Sequence, residues 1–525
     1  MHYQTKKIGY ILVWLLTFVT VQSWAGTPYF TDISVSSGVN VSHSSDTFAI
    51  GQAWIDIDND GDLDIYVTNQ LGPNHLLINQ GDETFQESSV FANLQLADQA
   101  CVGVSVADFD NDGWDDIYVN CHGDNHLFKN NQGQAFVDVT DLAQVNDTNN
   151  SQVSAWADIN NDGWLDLYVV NYNNGQSSSV VTSSDSKGIN AAKDSFFVSN
   201  GDATFTNINA DFDSVNLEKP GLAVTFFDYD NDGDQDLYVV IDRLHGNVLW
   251  RNDGPATASC GTYWCFTDVS KAANADAHVY GMGIATGDID LDGDMDMYFS
   301  SIGEQVLLIN QTSQGQAVFV DVSAGSVLNV ADTAGWGTLF FDYDNDSYLD
   351  AMIATYGSTV DTAEKLFKGN GDATFTDVTV DSGVSDLVFT EGIAFGDMNN
   401  DGLLDLLKGN RSSGYKLYKN NLNSANNWIE IKLVGYGAVN RNAIGSRVEL
   451  LTSDGKTLIR EVTSGDARGS GNQRALHFGL ADATVVSVTV LWSDGMKEEM
   501  NDMSHNHRYT LWNQAGRVIF SNGFE

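Results

Sequence analysis

Seven times along this 525-residue chain, oxygen-bearing side chains recur at positions 1, 3, 5 and 9 of one short phrase. In the first, AWIDIDNDGDLDIYV, they are Asp56, Asp58, Asp60 and Asp64. The next three phrases supply Asp108, Asp110, Asp112 and Asp116; Asp158, Asn160, Asp162 and Asp166; and Asp228, Asp230, Asp232 and Asp236. The last three supply Asp288, Asp290, Asp292 and Asp296; Asp342, Asp344, Asp346 and Asp350; and Asp397, Asn399, Asp401 and Asp405. No lysine or arginine stands at any of these positions. Position 7 varies through Asp62, Trp114, Trp164, Asp234, Asp294, Tyr348 and Leu403, as expected of a residue that lends its backbone carbonyl and leaves its side chain free. Position 6 is glycine except at Ser347, and glycine there lets the chain turn sharply around a central ion.

Clustered carboxylates raise one another's pKa, or drive the loop apart, unless a cation sits among them. Calcium suits such a site, taking roughly six to eight hard oxygens at flexible geometry, whereas magnesium wants a tighter octahedron and zinc wants nitrogen or sulfur. The expectation is therefore Ca²⁺, up to one ion per loop, with positions 1, 3, 5, 7 and 9 as its ligands. The bland alternative is a set of solvated acidic turns, which have no reason to repeat one ligand spacing. Ser347 must adopt a turn that glycine makes freely, so the sixth site is expected to be the weakest or the most distorted. An EF-hand shares the opening DxDxDG, but it needs a glutamate at about position 12 and a following helix. Here DIYV, DLYVV and DMYF follow, which are strand sequences. Position 2 is always apolar (Ile57, Phe109, Ile159, Tyr229, Ile289, Tyr343, Met398) and is expected to tuck beneath the loop.

The loops must be positioned by strands. A second phrase follows several of them, as HLLINQGDETFQESS from His75, HLFKNNQGQAFVDVT from His126, SFFVSNGDATFTNIN from Ser195 and KLFKGNGDATFTDVT from Lys365. Each reads as two short strands around a tight Asn/Gly turn. No long segment repeats its apolar residues at helical spacing, so the unit is four strands and the fold class is all-β, a seven-bladed β-propeller. The last unit, after YKLYKNN, lacks its closing strand, and Phe30-Thr31-Asp32-Ile33-Ser34 near the start of the chain matches the missing phrase. A ring closed this way leaves no open edge. A chance match of so short a phrase is the alternative.

A formal charge of −46 repels nucleic acid and anionic membrane surfaces and excludes both as partners. Lys6 and Lys7, the apolar run from Ile8 to Val21 and the ending Ser23-Trp24-Ala25 read as a signal peptide over residues 1–25. An uncleaved anchor is the alternative, but the run falls short of the ~20 residues that span a bilayer. The mature chain is expected to be secreted, extracellular or on the cell surface, with no membrane insertion. Four cysteines fit an oxidising compartment, and the pairs Cys101–Cys121 and Cys260–Cys265 are the expected disulfides, against buried unpaired thiols.

Beyond the Asn-rich NNLNSANN at 420, strands are expected at Trp428 to Val434, Arg447 to Leu451, Leu458 to Val462 and Val485 to Trp492, a small β-sandwich-like domain. Its Arg441, Arg447, Arg460, Arg468 and Arg474 read as scattered solvated side chains in preference to a patch for acidic glycans or for the propeller. The closing VIFSNGFE reads equally as a strand or a sorting tail.

Phrases such as YGMGIATGDIDLDGDMDMYF and EGIAFGDMNNDGLLDLL resemble the FG-GAP/VCBS repeats of integrin α-subunit propellers and many bacterial secreted proteins, across roughly residues 30 to 422. NNWIEIKLVGYGAVNRNAIGSRVELLTSDGK and RALHFGLADATVVSVTVLWSDG resemble the ASPIC/UnbV domain, the partner of such a propeller in the cartilage acidic protein 1-like family. The resemblance implies an extracellular calcium-binding protein related to adhesion or matrix proteins. The resulting division is a propeller over 26–422, an ASPIC/UnbV-like domain over 423–513 and a tail over 514–525. Ser347 and the long insertions in the third and fourth units depart from the family pattern.

The expected function is a secreted adhesion or ligand-binding module for an extracellular protein or glycan, with calcium structural and no catalysis. Catalytic metal sites keep a position open for substrate, which ligand-saturated repeated loops do not. The rival is an extracellular polysaccharide lyase or hydrolase on the same scaffold, since fold alone does not choose. There is no GxSxG or HExxH motif. His43, His75, His122, His126, His245 and His278 are scattered through the blade loops without a motif.

Overall fold

Alternating apolar and polar residues between Asn/Gly turns fold into four-stranded antiparallel sheets. The computed structural model describes residues 28–522 except 44–49, 89–90, 174–190, 212–217, 258–259, 313–317, 331–332, 357–362, 386, 412, 423–424, 466 and 514–519. The signal-peptide segment and most of the third-unit insertion lie outside the described residues. Among those described the protein is all-β, helix being limited to single turns such as Ser34–Ser37, Thr140–Ala143 and Thr379–Ser382. None of these helices is long and apolar enough to cross a membrane.

In each repeat unit the second strand begins at the position 9 aspartate, and in the first six units the third and fourth strands follow it in the chain. The second unit is representative, with strands Cys101–Ala107, Asp116–Cys121, His126–Asn130 and Phe136–Asp138 hydrogen-bonded in that order. Every residue of its first two strands is buried, as befits strands covered on both faces. The fourth strands shrink to three residues in most units, and those at Phe85–Glu87, Phe136–Asp138, Phe319–Asp321 and Phe375–Asp377 end on an exposed carboxylate, which blunts a free edge.

The seven first strands are Gln52–Ile55, Cys101–Ala107, Ser151–Ala157, Gly221–Phe227, Gly281–Gly287, Thr333–Phe341 and Thr390–Gly396. They pack against one another in chain order, and the last returns to the first. The approach is close enough to require glycine: a Cβ on Gly283 would fall 2.5 Å from the Trp336 carbonyl oxygen, and one on Gly103 would collide with that of Gln152. Phe30–Asp32 closes the circle as expected, pairing antiparallel with Gly414–Asn420 in the register Phe30 to Asn420 and Asp32 to Tyr418. The fourth unit owes its length to an extended hairpin, Val248–Thr257 with Cys260–Asp268.

Cys101 and Cys121 face each other across the first two strands of their unit and form a disulfide. Replacing both with alanine is expected to lower stability by about 3 kcal/mol, the loop-closure entropy lost over some 20 residues, measured as an earlier denaturation midpoint. The Cys260 side chain, and with it the second expected bridge, lies outside the described residues.

Beyond the ring, two sheets share one core. Leu476–Ala481, Asn427–Val434, His507–Trp512 and Phe520–Asn522 form the first, in which Asn427–Val434 and His507–Trp512 run parallel. Thr457–Glu461, Arg447–Thr452, Val485–Leu491 and Lys497–Asn501 form the second. The last segment of the chain is thus partly a strand, one of its two expected readings. This core is continuous with the ring through Phe109, Trp156 and Leu165.

The segment from Thr463 to Gln473 leaves this second body and enters the ring. Ser470–Gly471 pairs in parallel with Gln52 and Ala53, the Ala467 amide donates to the Ile284 carbonyl at 2.9 Å, and the Gln473 amide donates to that of Phe395 at 3.1 Å. It therefore touches first strands of the first, fifth and seventh units.

Candidate metal centre

Each acidic loop joins the first and second strands of its unit, and hydrogen bonds hold its carboxylates in fixed places. The position 9 aspartate is the anchor. Its Oδ2 accepts the amide of position 2 (Ile57 to Asp64, 3.1 Å; Tyr343 to Asp350, 3.0 Å), and its Oδ1 accepts an amide from the third strand (Asn79 to Asp64, 2.7 Å; Asn130 to Asp116, 2.7 Å; Asn420 to Asp405, 2.8 Å). The position 1 carboxylate accepts the amides of positions 5 and 6, as in Asp108 with Asp112 at 3.0 Å and Gly113 at 2.7 Å. Position 2 lies buried beneath every loop, as expected.

These contacts gather the oxygens. In Asp56–Asp58–Asp60, Asp108–Asp110–Asp116, Asp228–Asp230–Asp232, Asp288–Asp290–Asp296 and Asp342–Asp344–Asp350, one carboxylate oxygen from each residue lies within 4.8 Å of the others. In the third and seventh loops position 3 is an amide, and Asn160 and Asn399 donate to Asp162 and Asp401, both at 3.0 Å. At position 7 the Asp62, Asp234 and Asp294 side chains turn to a neighbouring loop, accepting from Asn400 at 2.8 Å, Asn161 at 3.0 Å and Asn231 at 2.6 Å. Their side chains are free for this second task, as the variability of position 7 implies.

The sixth loop does not show the distortion expected of it. Ser347 takes a φ of 84°, inside the range of the glycines it replaces, and its amide reaches Asp342 Oδ2 at 2.9 Å like theirs. The hydrogen-bond frame imposes the turn on serine, and the cost appears as backbone strain and as a buried hydroxyl without a partner.

Burial is the first cause of raised carboxyl pKa values in these loops. It pushes Asp56 to about 6, Asp108 to about 7, Asp64 to about 8 and Asp296 to about 9, with neighbouring aspartates adding to the shift. Asp116, Asp166, Asp236, Asp350 and Asp405 are also held well above the ordinary carboxyl value, again by burial first. Buried oxygens Asp56 Oδ1, Asp110 Oδ1, Asp230 Oδ1, Asp288 Oδ2, Asp290 Oδ1 and Asp344 Oδ1 have no hydrogen-bond partner. They belong to the same five loops whose carboxylates converge. A buried anionic oxygen with no donor is costly, and an all-oxygen set of this kind fits a hard cation such as calcium. Carboxyls raised this way must lose protons to ligate, so calcium addition is expected to release protons and to bind more tightly as pH climbs from about 6 to about 9. Titration calorimetry in two buffers of different ionisation enthalpy measures this; equal heats would contradict it.

Several functional neighbours were illegible in the sequence. Lys129 Nζ pairs with Asp110 and, at 2.8 Å, with Asp112; Lys368 Nζ pairs with Asp344 and, at 2.7 Å, with Asp346. Both come from third strands at one repeat position, which was the available signal. The arginines of the second body are corrected from scattered solvated residues to ring contacts. Arg447 holds Glu461 at 2.6 Å and reaches Asp228 at 3.9 Å, Arg474 pairs with Asp115, and Arg468 pairs with Glu391 at 3.4 Å. Arg441 covers the Trp512 ring while its amide donates to Asn111 at 2.7 Å. Histidines hold local partners: His75 with Glu87 at 2.7 Å, His126 with Asp138 at 2.8 Å, and His122 with Gln152 at 3.1 Å.

Comparison with known proteins agrees with this anatomy. Residues 56–119, 108–169, 228–299 and 342–407 match the FG-GAP-like repeat, and residues 437–518 match ASPIC and UnbV. Cartilage acidic protein 1 of Mus musculus is 24% identical over 535 residues, covering 94% of this chain and 78% of that protein. Its Homo sapiens counterpart is 24% identical over 535 residues, covering 94% and 76%. A solved Agrocybe aegerita lectin aligns over 63% of this chain and 81% of its own at 16% identity, with a TM-score of 0.41. The chain is thus an FG-GAP-repeat protein with an ASPIC/UnbV domain, homologous to cartilage acidic protein 1 over most of its length.

Proposed function

We propose that the protein is an exported seven-bladed β-propeller whose loops bind calcium as a structural element, and that the assembly serves as an adhesion or ligand-binding module outside the cell. The observation that carries the calcium assignment is the recurrence of partnerless buried carboxylate oxygens in five loops of one design. Asp56, Asp58 and Asp60, with their counterparts in the other loops, would hold the ion, which supplies positive charge and cross-links the two strands that each loop joins. Seven four-stranded units in a closed succession support the blade number. The likeness to cartilage acidic protein 1 and the disulfide support export.

The ligand is of the extracellular protein or glycan class. Purified protein applied to an array of glycans and matrix proteins, in calcium chloride and in EGTA, is expected to bind at least one member in calcium without changing it chemically. Release of shortened or unsaturated sugar products from a bound glycan would replace this function with that of a lyase or hydrolase.

A further inference from the structure

In every unit a third-strand amide donates to the position 9 aspartate, so the residue just before that amide is held at one place relative to the acidic loop. It is apolar in the first, third and fifth units, as Ile78, Val198 and Ile309, and basic in the other four. Two of the basic side chains are engaged elsewhere: the Arg251 guanidinium holds Asp253 at 2.6 Å, and Lys419 pairs with Glu83 of the first unit. The other two, Lys129 and Lys368, reach into the loops of their own units.

In the second loop Lys129 Nζ pairs with Asp110 Oδ2 and, at 2.8 Å, with Asp112 Oδ2. In the sixth, Lys368 Nζ pairs with Asp344 Oδ2 and, at 2.7 Å, with Asp346 Oδ2. Positions 3 and 5 of both loops thus share an ammonium. The second oxygen of position 5 accepts the amide of position 7, from Trp114 to Asp112 and from Tyr348 to Asp346, both at 3.0 Å. Position 5 then has both oxygens committed, and the oxygens that converge come from positions 1, 3 and 9. The second oxygen of position 3, Asp110 Oδ1 or Asp344 Oδ1, stays sealed from solvent without a partner. Ammonium and cation therefore draw on different oxygens of one carboxylate, and two like charges stand on either side of it.

We propose that Lys129 and Lys368 sort the calcium sites of the ring into two grades. The second and sixth loops carry a built-in counter-ion, hold their shape without calcium and bind it weakly. The first and fifth, with isoleucine at the same place, depend on the ion and bind it tightly. The grading rests on the calcium assignment itself. Calcium affinity follows the charge of the ligand set, and an ammonium in the wall of the site removes one unit of it. Repulsion between that unit charge and a divalent ion across one carboxylate weakens binding by about tenfold even at the dielectric of water. The same ammonium relieves the repulsion among the aspartates when the ion is gone. The first loop meets a cation only at Asp56, where Lys432 of the second body stands 3.8 Å away, beyond hydrogen-bond reach.

Hydrogen exchange of the full chain across a calcium titration tests this, because it reads each loop separately. In the parent, residues 56–64 and 288–296 are expected to gain protection at about tenfold lower calcium than residues 108–116 and 342–350. Lys129→Met is expected to bring the midpoint of 108–116 down by about tenfold and leave 342–350 unmoved, and Lys368→Met to do the reverse. With EGTA in place of calcium, the loop that has lost its lysine should exchange faster than in the parent. Ile78→Lys should raise the midpoint of 56–64 by a similar factor, with Lys432 unchanged in the comparison, and it keeps the test open where a lysine variant does not fold. Parent midpoints in 108–116 and 342–350 of the lysine variants, or in 56–64 of Ile78→Lys, would overturn the grading and leave the calcium assignment standing. Calcium that alters exchange in none of the loops would overturn both.

Discussion

Substituting methionine for Arg468 is expected to destabilise the protein by about 3–5 kcal/mol, the usual result of removing one member of a buried ion pair. Arg468 is 5% exposed and Glu391 is fully buried, at the point where the Thr463-to-Gln473 segment lies inside the ring. The guanidinium also stacks 4.5 Å from the Trp336 ring. Burial already lifts Glu391 from 4.5 to about 7, against the pull of Arg468 and Arg411. A carboxyl with a raised folded-state pKa holds its proton more tightly when folded, so the stability it contributes is lost as pH climbs from about 4.5 through 7. Removing Arg468 raises that pKa further. The deficit of the variant should therefore be largest above pH 7 and smallest near pH 5, where Glu391 is neutral. Chemical denaturation at both pH values measures it. A double variant, Arg468→Met with Glu391→Gln, should recover most of the loss, and a deficit that ignores pH would place the cause in packing instead of charge.

Chelation is expected to have the other large effect. One site held at 100-fold excess over its Kd adds about 2.7 kcal/mol to the folded state, and several such sites act together here. EGTA should accordingly lower Tm by roughly 10 °C or more, and calorimetry with and without calcium measures this directly. The loss should begin in the strands the loops join, because the position 9 aspartate ties position 2 to the third strand in every unit. An unchanged melting curve would remove calcium from the proposal.

The agreement between sequence and structure is uneven for physical reasons. Strand period, turn residues and ligand spacing are local, and they specify the loops, the four-stranded unit and the closing strand at Phe30–Asp32. Local pattern was weaker beyond residue 426, where Leu476–Ala481, Lys497–Asn501 and His507–Trp512 escaped notice. The parallel pairing of His507–Trp512 with Asn427–Val434 brings together segments far apart in the chain and leaves no turn signature between them. Arg447, Arg468 and Arg474 read as solvated for a related reason, since a charge lists no partner in the sequence.

Taken alone, the order of residues determined that this chain repeats one carboxylate-lined turn on a β scaffold and that its first strand completes its last repeat, because spacing within a dozen residues and period-two alternation are properties of the backbone itself. Only the tertiary structure decided that the second body sends a segment into the ring and sets its arginines against the acidic loops. Those contacts join residues far apart in the chain, and they exist only where burial removes water from both charges, a condition that no spacing along the chain encodes.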